Sequence, residues 1–94
     1  IPQNFVKTIN EFGGALSGAL GIDAQQLRAA TKMNICKINV DSDSRLAFTA
    51  GVRAALARHP EMFNPRDFLK PARQNIYDNC IDEINRIMGS DNKL

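Results

Sequence analysis

The sequence predicts an α/β chain, mostly helical within its 94 residues, in which several helices surround a single strand. Three observations carry this prediction. Period two runs through residues 34–40 and into Asp41, with Cys36, Ile38 and Val40 on one face and Lys37, Asn39 and Asp41 on the other. Elsewhere the apolar residues recur at helical spacing. Glycine and proline stand at the ends of those repeats, where a helix starts or stops.

The first helix begins at Pro2, whose fixed φ suits a helix start, and carries Phe5, Val6, Ile9 and Phe12 before Gly13-Gly14 stops it. A glycine-rich connector, residues 14–22, comes next as a turn of the chain. Asp23 with Gln26 three residues on resembles a capping box, so a second helix is predicted through Leu27, Ala30 and Met33. The strand is the next element. A third helix has its first turn at residues 42–45 and an apolar stripe of Phe48, Val52, Ala55 and Leu56. It stops by His59-Pro60, because a proline ring disfavours helix in the residue before it. Asn64-Pro65 opens a short turn. The last helix is predicted over 71–89, with Ala72, Ile76, Cys80, Ile84 and Ile87 on one stripe and Gly89 as terminator. Its other face, Arg73, Asp78, Asp82, Asn85 and Arg86, reads as solvated.

The junction between strand and third helix holds the densest polar chemistry. A carboxylate, an amide and a hydroxyl converge on a helix N-terminus, where unpaired backbone N–H groups and the positive dipole end favour an anion, a phosphate above all. A plainer reading is that Asp41, Ser42, Asp43 and Ser44 compete to cap the helix. Capping accounts for one of them and leaves Lys37 and Asn39 unexplained on the polar strand face.

Composition narrows the classes without choosing one. Net charge is +2 with 23% charged residues of mixed sign, which argues for neither nucleic acid nor membrane as partner. Neither a spanning run of ~18 apolar residues nor a charged-then-apolar leader is seen. Cys36 and Cys80 lack metal-type spacing and are predicted as buried free thiols. His59 reads as a surface residue compensating a helix C-terminus, and one histidine makes no metal centre. The glycine-rich connector lacks the lysine and spacing of a P-loop. Arg53, Arg58 and Arg73 read as exposed helix residues.

Asn39-Val40-Asp41-Ser42-Asp43, with Arg45-Leu46-Ala47-Phe48-Thr49 after it, closely resembles the N-[IV]-D-[ST]-D…R-L-A-[FM]-T segment of class II, metal-dependent fructose-1,6-bisphosphate aldolases. Ile1-Pro2-Gln3 resembles the residues just after the family's H-G-S-S-S stretch, and Gly14 to Ile22 resembles its glycine-rich connector. Phe63-Asn64-Pro65-Arg66 and Leu69-Lys70-Pro71-Ala72-Arg73 resemble its F-D-P-R and L-x-P-A-R signatures. The likeness covers essentially the whole chain, in the family's order, and is greatest to the longer-looped class IIB subgroup.

That resemblance implies a (β/α)₈ TIM barrel, which needs roughly 250 residues. Residues 1–94 are then expected to be the C-terminal segment of one barrel domain, not an autonomous domain, with its start just after H-G-S-S-S. Within it, 34–45 would be the last barrel strand and the phosphate-binding helix start, and 71–89 the C-terminal helix. The implied chemistry is reversible cleavage of fructose 1,6-bisphosphate into dihydroxyacetone phosphate and glyceraldehyde 3-phosphate, in glycolysis and gluconeogenesis. Zinc is the implied cofactor, with its ligands upstream of this segment and none within it. Carried over by resemblance, Asn39 hydrogen-bonds the reacting ketone end and helps hold the enediolate, which makes it the catalytic candidate. Asp41 and Ser42 bind the dihydroxyacetone phosphate moiety. Arg45 contacts the aldehyde-end phosphate, and Arg66 reaches that phosphate from a neighbouring subunit. The implied protein is cytoplasmic and a homodimer or homotetramer, completed by its own N-terminal part. The chain departs from the family at Asn64, where many members carry aspartate. Two alternatives are weighed. A tagatose-bisphosphate aldolase would tend to carry N-V-x-T-E in place of residues 39–43, and a non-enzymatic helical interaction fragment would leave the polar strand face unexplained.

Overall fold

The computed structural model describes residues 1–18 and 21–92, so part of the connector, residues 19 and 20, lies outside the described residues. Four α-helices and a terminal π-helix make up the fold: α1 Gln3–Glu11, α2 Ala24–Ala30, α3 Asp41–Arg58, α4 Pro65–Asp82 and the π-helix Glu83–Met88. No strand occurs among the described residues. Residues 35–40 run without regular structure, and Ile35, Cys36, Lys37 and Asn39 are exposed. A parallel strand exists only through a ladder with neighbours, and none of the described residues offers one. The period-two pattern therefore remains in the sequence without a sheet. The thiols are corrected with it, since both Cys36 and Cys80 are exposed and free.

α1 begins after Pro2, whose φ of −66° suits the entry, and buries Ile9. It ends as predicted at the glycines. Gly13 sits at φ 98°, a region side chains avoid, and the Gly14 N–H donates to the Ile9 carbonyl at 2.8 Å. Beyond it the Asn10 amide clips the connector twice, donating to the Leu16 carbonyl at 3.0 Å and accepting from its N–H at 2.7 Å. α2 is capped by the Asp23 carboxylate, which accepts from the Gln26 N–H at 2.9 Å. It is shorter than predicted: residues 31–34 form turns, and Met33 is 73% exposed.

α3 stops before His59-Pro60 as expected. It starts one residue early, at Asp41, with Val40 in the capping position and no side-chain cap bond. Its buried face is Asp43, Ala47, Ala50, Gly51 and Ala55, with Phe48 and Val52 half-buried and Leu56 exposed. Small residues win that face because α4 packs at backbone range. A Cβ on Gly51 would sit 2.6 Å from the Ala72 Cα, so glycine is required there. The Asn75 amide donates to the Ala47 carbonyl at 3.0 Å. With Gly51 beside Ala72 and Ala47 beside Asn75, α3 and α4 run antiparallel.

α4 corrects the predicted boundary at 71. The Asn64 side chain accepts from the Arg66 N–H at 3.0 Å and Pro65 takes the first helical position, so the helix begins there and runs through Pro71. An interior proline costs a hydrogen bond and a steric clash. Docking of the next residue, fully buried Ala72, against Gly51 holds the helix across it. Its inward row is also corrected: Ala72, Asn79, Glu83 and Ile87 are buried and Asn75 is half-buried, while Cys80 and Ile84 face out. The π-helix ends at Gly89, φ 62°, and Arg28 of α2 closes over it by donating to the Met88 carbonyl at 3.3 Å. The whole spans 49 × 33 × 15 Å, a slab little thicker than one helix, which is about 10–12 Å across.

Candidate functional site

The first turn of α3 brings Asp41, Ser42 and Arg45 together at a helix N-terminus, all three exposed, with Asn39 just before them in the irregular segment and also exposed. Side chains four apart stack on one helix face, so the Asp41 carboxylate takes the Arg45 guanidinium at 2.8 Å. Both partners are well exposed, at 79% for Arg45 and 72% for Asp41, so the pair contributes only about 0.3–0.5 kcal/mol. Neither Asp41 nor Ser42 caps the helix. The helix start thus has no side-chain cap, and its N-terminal dipole, the Ser42 hydroxyl and the Arg45 guanidinium could meet an anion.

Arg66 lies apart from this group. It occupies the first turn of α4, exposed, with its backbone N–H held by Asn64. Arg66 is six residues before Ala72, and Arg45 is six residues before Gly51. The antiparallel pairing therefore places them on opposite sides of the contact, about 18 Å apart along the hairpin. Within one chain the structure unites four of the five predicted residues and not the fifth. Asn64 has a local role that needs no charge, because asparagine and aspartate cap helices about equally well.

Sequence reasoning missed a second polar group behind the first. Asp43, Asn79 and Glu83 are buried, at 9%, 7% and 7% exposure. The Asn79 amide donates to Glu83 Oε1 at 2.6 Å, and the Ile1 amino nitrogen lies 3.6 Å from Asp43 Oδ1. Burial, then the neighbouring Asp43 charge, push the Glu83 carboxyl above its ordinary value; the Asn79 hydrogen bond opposes this and Asp82 adds to it. The four-residue spacing of Asn79 and Glu83 on a helix is the one signal that could have paired them. By contrast Asp82 and Arg86, on the face read as solvated, form an ion pair at 3.2 Å, and His59 sits exposed at the α3 terminus, 3.7 Å from Glu61.

Among the described residues no group of three or more histidine, cysteine, aspartate or glutamate side chains is placed to hold a metal ion. No helix among them is long and apolar enough to cross a membrane.

A helix N-terminus carrying a hydroxyl and a guanidinium beside its backbone N–H groups can seat an anion such as a phosphate. Residues 3–93 match the family model described as Fructose-bisphosphate aldolase class-II, and the chain belongs to that family. It is 37% identical over 92 residues to the fructose-bisphosphate aldolase class 2 of Synechocystis sp., a match covering 98% of this chain and 26% of that protein. It is 43% identical over 72 residues to the fructose-bisphosphate aldolase of Nostoc sp., covering 77% of this chain and 20% of that one. To that of Treponema pallidum it is 38% identical over 90 residues, covering 96% and 27%. The chain thus spans about a quarter of the length of the curated relatives it matches.

Proposed function

We propose that this chain is the substrate- and phosphate-binding C-terminal part of a class II fructose-1,6-bisphosphate aldolase, which reversibly cleaves its substrate to dihydroxyacetone phosphate and glyceraldehyde 3-phosphate in the glycolytic and gluconeogenic sequence. The observation that carries this reading is the exposed first turn of α3, in a chain of that family, holding Asp41, Ser42 and Arg45 at a helix N-terminus. The Ser42 hydroxyl and adjacent N–H groups hold the dihydroxyacetone phosphate end, and the Asp41 carboxylate hydrogen-bonds the same moiety. Arg45 exchanges its weak tie to Asp41 for the doubly charged aldehyde-end phosphate, at little cost because the tie is solvated. The Asn39 amide steadies negative charge as it develops at the ketone end. Zinc, which the family resemblance implies, would act as Lewis acid on that ketone. The described residues offer it no site, and none of these roles passes through it.

Arg66 serves the aldehyde-end phosphate of a partner subunit. Its displacement of about 18 Å from Arg45 along the hairpin supports a role in another protomer's site. The assembly is then a homodimer or homotetramer, working in the cytoplasm, and the chain is the C-terminal sector of a TIM barrel, its residues 34–40 forming the last strand once the neighbouring strands of the rest of the protein are beside them.

The test is turnover by the complete metal-loaded protein on fructose and tagatose 1,6-bisphosphates, with fructose preferred. Asn39→Ala should lower kcat on the order of 10²–10³ with a much smaller change in KM. An unchanged kcat would leave Asn39 as a mere spacer.

A further inference from the structure

Behind the exposed turn of α3 lies a cleft of ≈ 510 Å³ bordered by α1, α2, α3 and the α4–π-helix junction. Its floor is polar where a helix interface is ordinarily apolar. Asp43 faces it from the same turn that carries Asp41 and Ser42, and Asn79 and Glu83 face it from the opposite helix. Glu83 is the first residue of the π-helix, and the wide turn keeps both Glu83 and Ile87 directed inward. Its oxygen is fixed by the 2.6 Å bond from Asn79. Two carboxylates so placed are tolerable while one is neutral; when both are charged they repel across the α3–α4 contact.

We propose that Glu83 is a positioning residue for the phosphate-binding turn: held by Asn79 opposite Asp43, it secures that turn when neutral and loosens it when ionised. This rests on the function proposed above and adds a pH control to the same site. Every charged group around Glu83 enters the balance. Asp43 comes from α3, and Asp78, Asp82 and Arg86 from its own helix. Asp23 lies on the α2 side, with Arg28 at the far end of the π-helix, and the Ile1 nitrogen lies on the α1 side. Wherever a residue precedes Ile1, that nitrogen is a neutral amide, and the carboxylates face still less positive charge. Ionisation also adds a negative charge behind an anion seat, so both effects weaken phosphate binding as pH rises through the Glu83 titration. That titration lies above the ordinary glutamate range, because burial and Asp43 favour the neutral form.

The experiment uses the complete protein, with amide hydrogen exchange of residues 42–45 and KM for the bisphosphate both tracked against pH. In the wild type, exchange corrected for its intrinsic pH dependence should rise, and KM should increase several-fold, through one common inflection, with kcat flat. Glu83→Gln keeps an acceptor for Asn79 and should remove the inflection from both readouts. Glu83→Leu should give fast exchange and high KM at every pH. Asp43→Asn provides a second route and should move the inflection to lower pH. Exchange curves that are the same in the wild type and Glu83→Gln would overturn the proposal. An exchange inflection that disappears in Glu83→Gln, in a protein that cleaves no bisphosphate, would uphold the positioning role while removing the aldolase reading.

Discussion

Arg66 stands exposed on the first turn of α4, about 18 Å along the hairpin from Arg45. Arg66→Ala should weaken handling of the bisphosphate by about 1.5–3 kcal/mol and leave binding of a dihydroxyacetone-phosphate-sized analogue nearly intact. Mixing it with Asn39→Ala protomers should restore part of the activity, because one site of the heterodimer then carries both lesions and the other none. A verified heterodimer as inactive as its parents would place Arg66 in its own subunit's site. Glu83 gives a second residue-scale expectation. Its folded-state pKa is raised, so between its ordinary value of 4.5 and the raised value the native chain binds more protons than the unfolded one, and stability falls as pH rises through that window. Glu83→Gln should abolish this loss and raise Tm at neutral pH, and an unaltered Tm–pH curve would contradict it. That Asn39, Asp41, Ser42 and Arg45 cluster at the start of α3 was legible because they are contiguous in the chain. Asn79 and Glu83 were not, because solvated and buried polar residues look alike until the partner helix is placed.

At the scale of elements, the α3–α4 pair depends on one position. Gly51→Ala would drive a Cβ to 2.6 Å from Cα and 2.8 Å from N of Ala72, both backbone atoms that move only with the whole helix. The expected cost of such overpacking is about 1–3 kcal/mol, against a gain of about 1 kcal/mol in helix propensity, so the complete protein should lose stability in thermal melts. A raised Tm would show the helices do not meet this closely. The α3 terminus was readable from Pro60, and the α1 terminus from Gly13-Gly14, since both signals act on the local backbone. The start of α4 was not, because Pro71 read as a beginning while Asn64 and Pro65 supply the actual cap and first residue. The predicted strand is not formed among the described residues for a different reason: its pattern describes a ladder that needs neighbours.

For the molecule as a whole, the slab buries little. The buried apolar residues described are Ile9, Ala47, Ala50, Ala55, Ala72 and Ile87, mostly alanines, while Phe63 is 90% and Tyr77 63% exposed. Helices covered on one side only cannot offset the entropy of ordering them. Residues 1–94 expressed alone should therefore lack a cooperative thermal transition and give poorly dispersed amide signals; a sharp transition with good dispersion would refute this. The crossing at Gly51 and Ala72 also has a mechanical meaning. Two backbones meeting this closely can act as a pivot, and Asp41 stands ten residues from it, a lever arm of about 15 Å. A swing of only ~4° about that fulcrum carries the arm's tip roughly 1 Å, a misplacement that can cost 10²-fold in rate when it displaces a reacting group. The scissor angle of one helix pair is thus a gain setting for the helix start nearly three turns away.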